Sequence, residues 1–304
     1  MTTRKYIKKA FFKVSPALAV RLATLWEGLA PAWSGSMRPW QAARYLLYGM
    51  CPVVGGKFTY DGTRVYFPRG SAIFRRSCEQ RTYEPDVTAC LCRLVQPGSW
   101  FIDVGANIGL TSLPVLSNVP GAQVLSFEPS PVSLLYLERT WRESEFGARW
   151  KLVPKAAGDS LGSVEFYASR PGNAAYDGLR DTKRGGEKHH IVVKQTTVET
   201  EWRRLGRPRV SYMKVDVEGA EIKVLKGSCE LIERERPHVL LEWNQENLAP
   251  YQTDVGALVE HANSFAYEIQ ALPSLARVSG VESLKAWMVQ TESFLMVPMA
   301  LRTH

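Results

Sequence analysis

Residues 101–109 read F-I-D-V-G-A-N-I-G, and this stretch restricts the fold of the chain more than any other. Trp100 to Val104 is a short apolar run of the kind that forms a strand buried on both faces. Gly105 follows at once, and Ala106-Asn107-Ile108-Gly109 leads into the apolar positions Leu110, Leu113 and Leu116. The pattern predicts a strand, a tight glycine turn and a helix start. Small residues let a ligand approach the backbone, and free N–H groups in a helix's first turn can hold an anion. Asp103 adds a carboxylate at the strand end, so a ligand with both an anionic and a cationic group is expected there.

Glycine loops of this sort also hold dinucleotides, which require G-x-G-x-x-G. Here Asn107 stands at the second glycine and Leu110 at the third. A leucine where close helix–strand packing needs glycine argues against a nicotinamide cofactor. The loop therefore favours S-adenosylmethionine, with a nicotinamide oxidoreductase as the alternative.

The remainder of the chain alternates strands with helices. Residues 123–127, 151–153, 210–215 and 239–241 read as further core strands, with helical patterns around 132–137, 222–225 and 254–265. That alternation predicts an α/β fold, a doubly wound sheet whose ligands bind at the carboxyl ends of its strands. Residues 1–50 read as a helical extension, with proline starts at Pro16 and Pro39. Residues 51–98 read as a hairpin turning at Asp61-Gly62 and helices leading into the core, and 99–304 as the catalytic domain.

Successive strand ends carry Asp103, Glu128, Asp159, Asp216 and Glu242. The backbone of Gly105, Asn107 and Gly109 is expected against the methionine part of the cofactor, with Asp103 near its ammonium group. Glu128 offers two oxygens for the two ribose hydroxyls. The Ala157-Gly158-Asp159 turn is expected at the adenine edge. Any one of these acids could instead be solvated or cap a helix; a series on consecutive strand ends is harder to dismiss.

The segments F-I-D-V-G-A-N-I-G, L-S-F-E-P-S-P, M-K-V-D-V-E-G-A-E-I-K-V-L-K-G and R-P-H-V-L-L-E together resemble the FkbM family of S-adenosylmethionine-dependent methyltransferases. The likeness covers about residues 80 to 245, with the motifs in the family order. It implies a class I methyltransferase fold with a seven-stranded sheet, and O-methylation of a sugar, glycan or natural-product hydroxyl. One departure is Thr196-Thr197-Val198-Glu199, where the family commonly has T-L-D.

An aliphatic hydroxyl attacks a methyl group only if its proton is removed on the way. Asp216, Glu242 and His190 are the candidate bases, with Glu218 and His189 nearby in sequence. Acceptor determinants are expected in the polar loop 169–190. Asp216 and Glu242, with Asn244 close by, could instead hold Mg²⁺. The metal-free route is preferred, because Glu218 and Glu221 fit a helix start beside Gly219. Lys214 is expected to lie too deep in its strand to neutralise these acids.

Five cysteines, odd in number and without a C-x-x-C pair, suggest neither disulfides nor zinc and place the chain in a reducing cytoplasm. The net charge of +8 is concentrated early, at Arg4, Lys5, Lys8, Lys9 and Lys13. A basic amphipathic helix on anionic membrane is the sharp reading of those residues, and a solvated basic arm the plain one. Nucleic acid is not an expected partner: enzymes that methylate amino groups of bases carry [N/D]-P-P-[Y/F] where this chain has Asp216-Val217-Glu218-Gly219. A non-catalytic binding module would leave the full set of ligand positions unexplained.

Overall fold

A computed structural model describes residues 56–68, 71–80, 82–169, 171–184 and 186–300. The basic N-terminal segment, Cys51 and the expected 1–50 helices lie outside the described residues. Strands β1 (Gly56–Tyr60) and β2 (Thr63–Phe67) form the hairpin that Asp61-Gly62 foreshadows, both turn residues having positive φ (45° and 76°). Helices α1 (Ala72–Gln80) and α2 (Pro85–Leu94) lead to β3 (Trp100–Val104). Then come α3 (Ser112–Asn118), β4 (Gln123–Phe127), α4 (Pro131–Glu143) and β5 (Trp150–Val153). Strands β6 (Ala156–Ala157), β7 (Gly162–Ser169) and β8 (Lys188–Thr196) form a small sheet, with a 3-10 turn at Pro171–Tyr176 inside the long β7–β8 connection.

The chain returns through α5 (Val198–Arg204), β9 (Val210–Val215), α6 (Glu221–Lys226), α7 (Cys229–Glu235) and β10 (His238–Glu242). It ends in α8 (Gln245–Leu248), α9 (Ala257–Ser264), β11 (Tyr267–Ala271), β12 (Ala276–Val278), α10 (Val281–Met288) and β13 (Ser293–Pro298). The main sheet runs β12-β11-β13-β10-β9-β3-β4-β5. Its five strands from β10 to β5 are parallel, and β13, β11 and β12 join antiparallel.

The parallel strands are buried on both faces, as the near-continuous apolar runs require. On β3, Trp100, Ile102 and Val104 face one core with Trp202, Leu225 and Leu258. Phe101 faces the other, which the hairpin and helices α1–α4 complete through Phe58, Leu91, Leu113 and Leu137. The N-terminal hairpin thus shares a core with the sheet. The class I methyltransferase sheet is present, with one strand more than the expected seven: the short edge strand β12 brings the main sheet to eight. Three residues give little hydrophobic period to read, and Leu272-Pro273 interrupts the approach to it.

The helix after β3 starts later than its sequence suggests. Residues 106–111 form turns, and α3 begins at Ser112. Gly109 explains the delay: its φ is +90°, and a Cβ there would lie 2.8 Å from the ring of Trp150 and 3.0 Å from Leu137. It packs against β5 and α4 and does not line the cleft at the strand ends. Gly109→Ala is therefore expected to destabilise the fold by about 2 kcal/mol, since overpacking a filled core generally costs that much. Urea unfolding checks this; an unchanged midpoint would mean that the turn can move away from Trp150.

Candidate functional site

The carboxyl ends of the parallel strands open into a cleft of about 820 Å³. Val104 to Ile108 form its floor, Phe127-Glu128-Pro129 one wall, and Ala156, Ala157 and Phe166 another. The β7–β8 connection closes it with Ala174, Ala175, Asp177, Gly178 and Leu179. A second opening of about 730 Å³ adjoins it. Its walls are Ala72, Arg76, Glu84 and Val87 from α1–α2, Leu240 to Glu242 from β10, and Glu292 and Ser293 at the start of β13. Both openings are lined by Ile73, Tyr83, Ala175, Lys214, Asp216 and Glu218.

Gly105 sets the floor. The amide of Asp216 donates to the Val104 carbonyl at 3.0 Å, and a Cβ on Gly105 would stand 1.9 Å from the Asp216 carbonyl oxygen. No side chain fits between those two strand ends. The N–H groups of Gly105 and Ala106 both donate to the Phe127 carbonyl at 3.0 Å, and that of Gly109 to Ala106 at 2.8 Å. Asn107, at φ 49°, donates its N–H to Glu128 Oε2 at 2.8 Å. These amides are engaged within the protein, so the expected anion site at the loop is not formed by them.

Glu128 lines the cleft as expected. Its Oε1 accepts from Ser130 N–H at 2.7 Å, and each oxygen keeps a further lone pair. Burial pushes its carboxyl up to about 8, against those two backbone bonds and assisted by nearby Asp177. Gly105, Asn107 and Ala157 also line the cleft. Asp103 does not: it is fully buried behind the floor, where Oδ2 accepts from Thr111 Oγ1 (2.7 Å) and Ser112 Oγ (2.6 Å). The expected contact between Asp103 and a ligand's ammonium group is therefore not formed directly.

Asp159 is exposed on the β6–β7 turn and lines neither opening; Asp177 is the carboxylate that the β7–β8 connection brings to the cleft. His190 lies on β8, exposed, 3.6 Å from Glu165, and lines neither opening. His189, its neighbour, is exposed as well. Neither histidine is placed to act as a base there. His238 opens β10, where it stacks on Tyr212 with centroids 6.2 Å apart.

Asp216, Glu218 and Glu242 converge where the two openings meet, with oxygens within 4.8 Å of one another. Lys214 is 5% exposed, yet its ammonium donates to Asp216 Oδ2 at 2.8 Å. It is deep, as expected, but it does reach the acids. Arg184, from the β7–β8 connection, lies 3.4 Å from Glu218 Oε2 and 3.8 Å from Glu242 Oε1. Burial alone would raise the Asp216 carboxyl, but Lys214, a hydrogen bond from Glu242 and the Arg184 charge hold it below its ordinary range. Burial and the Asp216 charge push the Glu242 carboxyl well upward, opposite in direction to Asp216. Glu221, not Glu218, completes the helix start: its Oε1 accepts from Val217 and Gly219 N–H, both at 3.1 Å. Tyr83 and Arg76 escaped the sequence reading because no local pattern links α1–α2 to β9.

Burial shifts Glu221 from about 4.5 to about 7, as it shifts Glu128 to about 8. Between 4.5 and these values the folded chain holds protons that the unfolded chain has released. Stability must then fall as pH rises through that window. The urea midpoint is expected to be lower at pH 8 than at pH 6, with a shallower pH dependence in Glu221→Gln. A midpoint level or rising across that interval would show that both carboxyls are ionised in the folded protein.

The model of the methyltransferase FkbM domain family matches residues 103–269, which include the floor of the first opening and the acidic junction. The chain is 30% identical over 188 residues to methyltransferase sdnD of Sordaria araneosa, covering 53% of this chain and 71% of that protein. It is 31% identical over 144 residues to methyltransferase 1 of Beauveria bassiana, covering 42% of this chain and 58% of that one. Among solved structures it is similar to the methyltransferase FkbM of Methylobacillus flagellatus, at 14% identity and a TM-score of 0.42. That match covers 74% of this chain and 52%, about half, of the other. The family model spans more than half of the sequence, and the chain belongs to the FkbM methyltransferase family.

Proposed function

We propose that the protein transfers a methyl group from S-adenosylmethionine to a hydroxyl of a sugar, glycan or natural-product acceptor. The observation that carries this reading is the meeting of two openings at Tyr83, Lys214, Asp216 and Glu218. A donor in the first and an acceptor in the second would touch only there. Glu128, with a lone pair free on each oxygen, suits the two ribose hydroxyls, and Ala156, Ala157, Phe166 and Leu179 provide apolar walls for the adenine. The acceptor side draws on α1–α2 as much as on residues 169–190.

The sulfonium supplies a good leaving group, so the protein's work is alignment and proton removal. Asp216 is placed to take the hydroxyl proton as the oxygen–methyl bond forms and the sulfur–methyl bond breaks. Glu242 donates a hydrogen bond to Asp216 and keeps it oriented. A nicotinamide reaction on this sheet is not favoured, because buried Leu110 occupies the position of the third fingerprint glycine.

S-adenosylmethionine and its demethylated product are expected to stabilise the protein by about 2.7 kcal/mol at a hundred times their dissociation constants, and NAD not at all. Glu128→Gln should weaken cofactor binding by roughly 1–3 kcal/mol, as a charged acceptor is lost. Because unliganded Glu128 titrates near 8 while ribose hydroxyls select its carboxylate, affinity in the native protein should rise from pH 6 to 8. Calorimetry tests both; stabilisation by NAD alone, or an affinity indifferent to Glu128, would overturn the assignment.

A further inference from the structure

Three carboxyl groups with oxygens within 4.8 Å of one another ordinarily call for a cation. A divalent ion is one answer, and Asp216 with Glu242 is where it would be expected. One oxygen of each of the three carboxyls is already engaged by N–H donors of the chain itself. Asp216 Oδ2 accepts from Lys214 at 2.8 Å, and Glu218 Oε2 from Arg184 at 3.4 Å. Glu242 Oε1 accepts from the amide nitrogens of Asn244 (3.0 Å) and Asn247 (3.4 Å). The amide oxygens that could have completed a coordination shell are turned elsewhere. Asn244 Oδ1 caps α8 through the Asn247 N–H at 2.8 Å, and Asn247 Oδ1 accepts from Arg184 at 2.8 Å. A hard divalent ion needs oxygen ligands at about 2.0–2.6 Å, free of competing donors. This junction is instead ringed by ammonium, guanidinium and amide N–H groups.

We propose that Lys214 and Arg184 stand in the place of a divalent cation at the acidic junction, which makes Lys214 the positioning residue for Asp216. The geometry supports a division between them. Lys214 sits near the end of the central strand β9, in register with Asp103 on β3 and Leu240 on β10, and cannot swing away. Arg184 arrives from the β7–β8 connection over the ring of Tyr176, 5.0 Å from its centroid, and is the more exposed of the two, its side chain 24% accessible against 6% for Lys214. Asp216, Glu84 and Asp103 act on the Lys214 charge, and Tyr83 and Glu242 line the same opening. The inference rests on assigning the joined openings to methyl transfer only in naming what Asp216 is positioned for.

Mn²⁺ is the probe, read by its electron paramagnetic resonance signal in the full-length protein. The wild type is expected to bind it no tighter than the weak millimolar range, about 10⁻³ M. Lys214→Met should gain a site at least about tenfold tighter, lost again when Asp216→Asn is added. Lys214→Arg should behave as the wild type, which a merely structural role would not require. Should Lys214→Met fail to fold, Arg184→Met, altered in a surface connection, is expected to show the same gain. Wild-type binding tighter than about 10⁻⁴ M that disappears in Asp216→Asn would overturn the proposal, as would no gain in either variant. Calorimetry with S-adenosylhomocysteine runs in parallel. Its failure to bind, with the Mn²⁺ pattern as stated, counts against methyl transfer and supports the cation substitution.

Discussion

The approach of Gly105 to the Asp216 carbonyl is the contact on which the two openings depend. Strands β3 and β9 end side by side, joined by the bond from Asp216 N–H to the Val104 carbonyl. With no side chain at residue 105, the Asp216 carbonyl can lie where a Cβ would have been, at 1.9 Å. The turn after β3 then packs directly against the β9 end. Asp216 and Glu218 are left facing the space above, and Asn107 is carried to the backbone bond with Glu128. Any larger residue at 105 would separate the strand ends and with them the walls that meet there.

Behind that floor runs a buried chain of polar contacts. Trp150 donates to Ser126 (2.8 Å), Ser126 and Ser112 share a hydrogen bond (2.8 Å), and Ser112 donates to Asp103 (2.6 Å). It links β5, β4, α3 and β3 through groups that would each be costly to bury alone. Asp103 keeps one oxygen without a partner among the described residues, close to the Lys214 charge. The carboxylate that the sequence suggests for a ligand thus belongs to the scaffold, and its electrostatic influence reaches the junction through Lys214.

Much of this was legible because its signals are local. The strand, the positive-φ glycine and the acids at strand ends all follow from short-range steric and period rules, and they locate Glu128, Asp216 and Glu242. Lys214 and Asp216 are two apart on a strand, hence on one face, so their ion pair was available to a period-two argument. Depth along the strand is offset by the length of a lysine stem. Other misplacements have a different cause. Asp159, on the β6–β7 turn, and His190, on β8, belong to the small sheet, whose orientation depends on how the β7–β8 connection folds back, and Asp177 reaches the cleft for the same reason. Nothing in residues 72–87 announces that they roof a site formed by strands more than a hundred residues later.

That last feature divides the molecule's tasks between separate stretches of chain. The first opening is built almost wholly from the segment that matches the family, residues 103–269. The second takes Ala72, Arg76, Glu84 and Val87 before it and Glu292 and Ser293 after it. Variation in the outlying pieces can reshape one chamber while the backbone of the other stays intact, so the architecture is modular. Ile73 and Tyr83 are the exceptions, since they border both chambers. Drift at those two positions would be felt on both sides at once, and they mark the limit of that modularity.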